Sequence, residues 1–281
     1  MVGIVILIGL TLIGLVVGSF LGVVIRRSGT RVGIIRGRSF CPRCRRTLRW
    51  FELFPILSFL AQGGRCRSCR QSIPFFYPAV EIITAVIFVV LGIAAGNSML
   101  PPPPFAPDVL GGSGTLGGSA AWFLYYVFFA LVGVIVSFHD FERRLIPLVP
   151  VRLAIIVGIG AQFFGLLKAG SIYFLLPTMA IAGGAFALFW SLWFFSRGRA
   201  MGRGDADVAL AIGLYLGPST AAWGLLLAFW IGAVTGIVLV LMGRLGMKSR
   251  IPFGPFLFGG ALVSLCISTS WAALNPFLHV F

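Results

Sequence analysis

The groups in this chain that could do chemistry are few, and the first set is acidic. The seven acids are Glu52, Glu81, Asp108, Asp140, Glu142, Asp205 and Asp207. Two of them sit in distinctive settings. Asp140 lies in Phe138-His139-Asp140-Phe141-Glu142-Arg143-Arg144-Leu145-Ile146-Pro147, and Asp205 in Met201-Gly202-Arg203-Gly204-Asp205-Ala206-Asp207. Each has an acidic neighbour two positions on. Two residues of helix turn a side chain by about 200°, so Glu142 would face away from Asp140 and Asp207 away from Asp205. One acid from each set can then join an aspartyl dyad, in which two close carboxylates share one proton. The ionised member takes a proton from water and the protonated one polarises a peptide carbonyl. Gly202 and Gly204 make the second segment flexible and let a substrate backbone approach. The competing reading is that all four acids balance nearby arginines.

The second set is cysteine. Cys41-Pro-Arg-Cys44 and Cys66-Arg-Ser-Cys69 are separated by 21 residues. Two such knuckles supply four thiolates for a closed, tetrahedral, structural zinc site. Two disulfides or four free thiols are the alternatives; a loop in a reducing compartment disfavours disulfides, and nearby arginines favour thiolates. Cys266 is expected to be a buried apolar residue of the last span. His139 and His279 have no partner in the sequence that would make a site.

The elements that position these groups follow from composition. Of 281 residues, 59% are hydrophobic and 10% charged, against roughly a quarter charged in soluble domains. This is the composition of an all-α polytopic membrane protein. The net charge is +15, but the basic residues sit in short loops between apolar runs. Membrane orientation and lipid contact therefore explain them better than nucleic acid does. About 20 apolar residues cross a bilayer. Eight candidate segments read as Val2–Ile25, Ala79–Ala95, Ala121–Phe138, Val149–Leu167, Ile172–Phe195, Val208–Leu216, Ala221–Met242 and Pro255–Ser270. The sixth is short. Alternating loops carry 21 of the 22 Lys and Arg, which places both termini outside and the loops 26–78, 139–152, 196–207 and 243–254 inside. Asp140 and Asp205 then share one membrane face, and the cysteines lie in the cytoplasmic loop 26–78. The expected organisation is an N-terminal region 1–95, an external Pro/Gly-rich loop 96–120 and a six-span core 121–281. Glu81 is read at a helix start, where an acid suits the helix dipole.

At these residues the chain resembles the type 4 prepilin peptidases, leader peptidases with N-methyltransferase activity. The resemblance rests on Gly18-Ser19-Phe20-Leu21 followed by Arg26-Arg27, on Pro55-Ile56-Leu57-Ser58, and on Tyr77-Pro78-Ala79-Val80-Glu81. It continues with Asp140 before Leu145-Ile146-Pro147, with Gly202-Arg203-Gly204-Asp205, and with Ala209-Leu210-Ala211-Ile212-Gly213. It implies cleavage of the basic leader of type IV prepilins or pseudopilins at the inner face of the cytoplasmic membrane. It also implies methylation of the new N-terminus from S-adenosylmethionine, and it assigns Asp140 and Asp205 to the protease. The chain departs from the family pattern at Gly22, where Asn is usual, at Asp207, where Lys is usual, and at Leu148, where a polar residue is common. The alternatives are a protease-only, preflagellin-type peptidase, a proton-coupled transporter, and a non-enzymatic assembly factor using the cysteine loop. Mid-span acids would suit the transporter, whereas these are expected at span ends.

Overall fold

The computed structural model describes residues 2–28, 37–97, 100, 103, 116–169, 172–199, 201–244, 246, 249 and 251–274. Most of the expected external loop, with Asp108, and also His279 lie outside these residues. The described chain is helical, with no β-strand. Its helices are α1 (Val2–Arg27), α2 (Leu57–Ala61), α3 (Phe76–Gly96), α4 (Leu116–Arg143), α5 (Leu148–Ala169), α6 (Leu176–Ser196), α7 (Arg203–Leu241) and α8 (Gly254–Leu274). Short 3₁₀ turns occupy Trp50–Leu53 and Ile172–Phe174. Among the described residues six helices, α1 and α3 to α7, are long and apolar enough to cross a membrane, and α8 adds a shorter apolar stretch, Gly254–Ile267. The eight expected segments fall on seven helices, because α7 holds two of them. The fifth starts later than expected: α6 begins at Leu176, after the 3₁₀ turn, with Pro177 in its first turn.

The chain divides into two compact units, Met1–Ile93 and Ala94–Phe281. In the first, α1 and α3 pack antiparallel through a stripe of small residues. A Cβ on Gly14 would lie 2.6 Å from Ala85 Cα, one on Gly18 2.7 Å from Glu81 Cα, and one on Gly22 3.4 Å from Tyr77. Apolar membranes give helices no hydrophobic reason to associate, so close backbone packing at small residues takes that role. Between these helices, the chain folds into two similar knuckles joined by the Trp50–Leu53 turn and α2. Glu52 anchors the join. Its side chain accepts from Arg46 at 2.6 Å and from the Arg49 N–H at 2.8 Å.

The second unit is built around the first half of α7. Ala206, Val208, Ala209, Ala211, Ile212, Leu214 and Tyr215 are all fully buried or nearly so. Gly213 packs so tightly on α6 that a Cβ there would lie 2.4 Å from Ala182 Cα. Helix α7 breaks at Gly217, whose φ of 73° and ψ of −179° suit glycine alone, followed by Pro218. Proline removes the N–H that would have bonded the Leu214 carbonyl. Gln162 of α5 supplies the replacement, its Nε2 donating to Leu214 O at 3.0 Å.

The break is a reversal. At the start of α7, a Cβ on Gly204 would lie 2.8 Å from Ile146 Cβ, just after α4. In the second half, Gly224 faces Ala261, Gly232 faces Phe256 and Gly236 faces Ile251, so it runs antiparallel to α8 toward α8's start. That start touches the end of α4, where the Gly254 N–H meets Asp140. A straight 39-residue helix would be about 58 Å long. Both ends of α7 meet the same end of the unit, so the chain turns back at Gly217. The short sixth segment is thus the buried central limb of a hairpin.

Two predictions follow from this packing. Gly217→Ala forces a side chain into a glycine-only conformation, which costs about 1–3 kcal/mol, and should lower the thermal unfolding midpoint of the detergent-solubilised chain. For Glu52, burial opposes ionisation, but the Arg46 guanidinium and the Arg49 N–H outweigh it and hold the carboxyl below its ordinary range. A carboxyl lowered by folding stabilises the fold above its ordinary value, and that contribution is lost as pH falls through the folded value. Hydrogen exchange across 46–53 should therefore be faster in Glu52→Gln than in the wild type at pH 7. The gap should close as pH falls below about 4.3, the ordinary glutamate value.

Candidate active site and candidate metal centre

Asp140 sits in the last turn of α4. The helix stops because Arg144 takes up φ 54°, with its N–H still bonded to Asp140 O at 2.7 Å. The chain then runs extended through Leu145-Ile146-Pro147 before α5. His139 fixes this exit: it is buried, and its Nδ1–H donates to Leu145 O at 2.7 Å. The histidine that looked incidental in the sequence therefore shapes the segment after Asp140. The Asp140 carboxylate is 6% exposed, and its Oδ2 accepts the Gly254 N–H at 2.9 Å. A Cβ on Gly254 would come within 3.0 Å of that oxygen. Gly254 is the first residue of α8, so Asp140 caps that helix across 114 positions of sequence.

Asp205 is the third residue of α7 and is 5% exposed. Its Oδ2 accepts the Gly202 N–H at 2.9 Å, in the manner of an acid capping its own helix start. Its Oδ1 is buried and has no hydrogen-bond partner. The start of α7 packs on Ile146, six residues after Asp140, so the two carboxyl groups lie at the same end of the unit. Glu142 is exposed and Asp207 half-buried. The fold thus buries the member of each acidic set that helix geometry separates from its neighbour. Gly204 brings the start of α7 onto Ile146, and Gly202 donates to Asp205. Two carboxyl groups placed this way, one with an uncommitted oxygen, can hold a water and pass protons between it and a substrate carbonyl. Gly254, which the sequence reading passed over, is the fixed point for Asp140. Its signal was present in Ile251-Pro252-Phe253-Gly254-Pro255, where proline sits just inside a helix start.

In the first unit, the Sγ atoms of Cys41, Cys44, Cys66 and Cys69 all lie within 4.8 Å of one another, and Cys41 and Cys69 are 3.8 Å apart. A tetrahedral zinc with bonds of about 2.3 Å needs sulfurs about 3.8 Å apart, so the cluster could hold a metal ion. The two knuckles repeat one pattern. Arg45 N–H bonds Cys41 O at 2.8 Å and Arg70 N–H bonds Cys66 O at 2.9 Å, with both arginines at φ 56°. Arg43 of one knuckle also bonds Gln71 of the other. Turns of this kind aim backbone N–H groups at sulfur. The N–H groups of Cys69 and Ser68 bring the Cys66 thiol down to about 6, and that of Cys44 lowers Cys41. At Cys69 the Gln71 N–H is outweighed by burial and the three neighbouring sulfurs, which push that thiol up to about 11. Thiolates are the form that binds metal.

Two expectations are corrected. Glu81 is not in the first turn of α3 and does not serve its dipole. It is buried and accepts the Ile56 N–H at 2.8 Å, tying the loop to the α1–α3 pair. Cys266 is exposed on the surface of α8 and is not a core residue; the helix turns Ser264 and Leu265 inward instead.

The comparisons with known proteins fit this division. Residues 12–95 match the bacterial peptidase A24 N-terminal domain, and residues 127–239 match the type IV leader peptidase family. A prepilin leader peptidase/N-methyltransferase of Bacillus subtilis is 33% identical over 264 residues, covering 91% of this chain and 92% of the relative. A protein of the same description from Aeromonas salmonicida is 32% identical over 276 residues, with 88% and 85% covered. One from Pseudomonas aeruginosa is 25% identical over 282 residues, with 88% and 85% covered. No solved structure matches the chain. With both family segments present in order and relatives aligned over almost their whole length, this multi-pass inner-membrane protein belongs to the type IV leader peptidase family.

Proposed function

We propose that the chain is an aspartic endopeptidase that removes the leader of type IV prepilins or pseudopilins, and an N-methyltransferase that acts on the N-terminus so exposed. The observation that carries the protease reading is the pairing of Asp140 with Asp205. These acids come from different helices, are both buried, and lie at the same end of the unit, while Asp205 Oδ1 is left without a partner. In this reading the ionised carboxylate takes a proton from a bound water. The resulting hydroxyl adds to the scissile carbonyl, whose oxygen is protonated by the other carboxyl. The tetrahedral intermediate then collapses as a proton passes to the leaving amine. Gly202, exposed and without a side chain, leaves room for an extended substrate beside Asp205, while the face of Gly204 is filled by Ile146. Both acids lie at helix ends, which favours this reading over a proton-coupled carrier.

The four-cysteine cluster would hold zinc in a closed structural site, with Cys41, Cys44, Cys66 and Cys69 as ligands. Zinc there clamps the two knuckles together and leaves no open position for catalysis. S-adenosylmethionine would supply the methyl group, a reading supported by the names of the relatives. Gly22 bears on this activity. A Cβ at that position makes only ordinary contact, 3.4 Å from Tyr77, so the backbone there does not demand glycine. The arrangement of charged loops supports a site at the cytoplasmic face with both termini outside. Asp207, half-buried beside the pair, is suited to attract the basic leader.

Asp140→Asn and Asp205→Asn keep an acceptor oxygen for Gly254 and Gly202. They should leave the fold intact but lower prepilin cleavage by on the order of a thousandfold or more, measured with purified chain and a prepilin peptide. Glu142→Gln should stay within a few-fold of wild type, because that side chain is exposed. Unchanged cleavage in either asparagine variant refutes the dyad. Methylation is read separately, as transfer of label from S-adenosylmethionine to a peptide already cleaved. Cys66→Ser should lower the zinc content found by elemental analysis, and Gly22→Asn should retain zinc and methylate at least as fast as wild type.

A further inference from the structure

Between its two knuckles, the cysteine loop turns an apolar face outward. Trp50 is 74% exposed, Phe54 49%, Leu57 67% and Leu60 66%. Trp50, Phe54 and Leu57 form one patch, and Leu60 lies one turn of α2 after Leu57. Trp50 and Phe54 meet edge to face at 5.8 Å, and Phe51, Phe54, Leu57 and Ala61 line a single cleft with Arg67 at its side. Aromatic and leucine side chains gathered like this outside the spanning helices mark a contact surface.

The position of the patch says what it contacts. Ile56, at its centre, is held at φ 59°, a conformation that a β-branched residue adopts only under constraint. The constraint is Glu81, which accepts the Ile56 N–H. Glu81 lies five residues into α3, about 7.5 Å along a membrane-capable helix. It faces Gly18, nine residues before the end of α1. The turn is therefore tied to α3 more than a turn inside that helix's start, and Phe54 and Leu57, its neighbours in sequence, are held near the same end of the α1–α3 pair.

Charge points the same way. Arg43, Arg45, Arg49, Arg65, Arg67 and Arg70 are exposed around the patch. The single acid between Arg26 and Glu81 is Glu52, and it is committed to Arg46. A basic rim around aromatic and leucine side chains is complementary to anionic headgroups over acyl chains. The same rim repels a basic leader peptide, which argues against the substrate as the occupant.

We propose that Trp50–Ala61 is a membrane-surface anchor. Trp50, Phe54, Leu57 and Leu60 enter the boundary between headgroups and acyl chains, in the leaflet where α1 ends and α3 begins, and the surrounding arginines bind anionic lipid. The test uses the full chain in vesicles of phosphatidylcholine, with and without phosphatidylglycerol. The fluorescence difference between wild type and Trp50→Phe isolates Trp50 from the other tryptophans. Its emission is expected to be quenched by lipids brominated high on the acyl chain and to be shielded from aqueous iodide. Part of that shielding should be lost when phosphatidylglycerol is left out. Hydrogen exchange on the unaltered chain gives an independent reading: amides of 50–61 should be slower in the mixed vesicles than in detergent. Iodide access to Trp50 without quenching by brominated lipid overturns the proposal. Shielding that appears only when a prepilin peptide is added also overturns it and makes the patch a protein-docking surface. Shielding that is indifferent to phosphatidylglycerol removes the role given to the arginines.

Discussion

Inside a bilayer no water is at hand to take up a backbone hydrogen bond that a helix gives away. This constraint governs the centre of the second unit. Pro218 deprives the Leu214 carbonyl of its helical donor, and Gln162, 2% exposed on a neighbouring helix, provides one in its place. With that carbonyl satisfied, the chain can turn at Gly217 without stranding the oxygen that Pro218 leaves without its helical donor. The turn in turn decides where everything else lies. It returns the second limb of α7 along α8, places the start of α8 against α4, and so sets Gly254 under the carboxylate of Asp140. A polar side chain in a lipid-embedded helix, easily taken for a functional group, here sustains the reversal that assembles the acids.

The acids are held by the same kind of contact. Each gives one oxygen to a backbone N–H at the beginning of a helix, Asp140 to α8 and Asp205 to α7. Helix starts present unpaired N–H groups and a partial positive charge. A carboxylate there is positioned and partly compensated for the water it has lost. Positioning by backbone has a further merit, since a rotamer change elsewhere does not displace it. The remaining oxygen of Asp205 is buried without a hydrogen-bond partner.

Much of this was legible in the sequence, for physical reasons that can be named. Hydropathy found the helices because crossing a bilayer demands long apolar runs. Two-residue spacing separated Asp140 from Glu142 and Asp205 from Asp207, because a helix turns neighbours of that spacing to opposite sides. Cysteine spacing found the cluster because two knuckles suffice to build it. The failures have one source: contacts between distant parts of the chain. Glu81 was read from its local helix, while its partner is Ile56 in the loop. Cys266 was read from its apolar surroundings, which do not say which face of α8 turns inward. Gly254 meets its acid from 114 residues away. The reversal of α7 had local marks, Gly217 and Pro218, but its partner Gln162 could not be picked out from α5.

The first limb of α7, from Arg203 to the residue before Gly217, would span only about 21 Å as a helix, against about 30 Å for a bilayer's hydrocarbon. A lipid-facing helix so short would thin the membrane around it. From Val208 to Leu216 this limb is buried among its neighbours, apart from the half-buried Leu210. Helices α5 and α6, with 22 and 21 residues, match a bilayer of ordinary thickness. The rim of the unit thus sets the fit to the membrane, while its centre is free to be short. Variation in bilayer thickness would strain the rim first and reach the acids only through it.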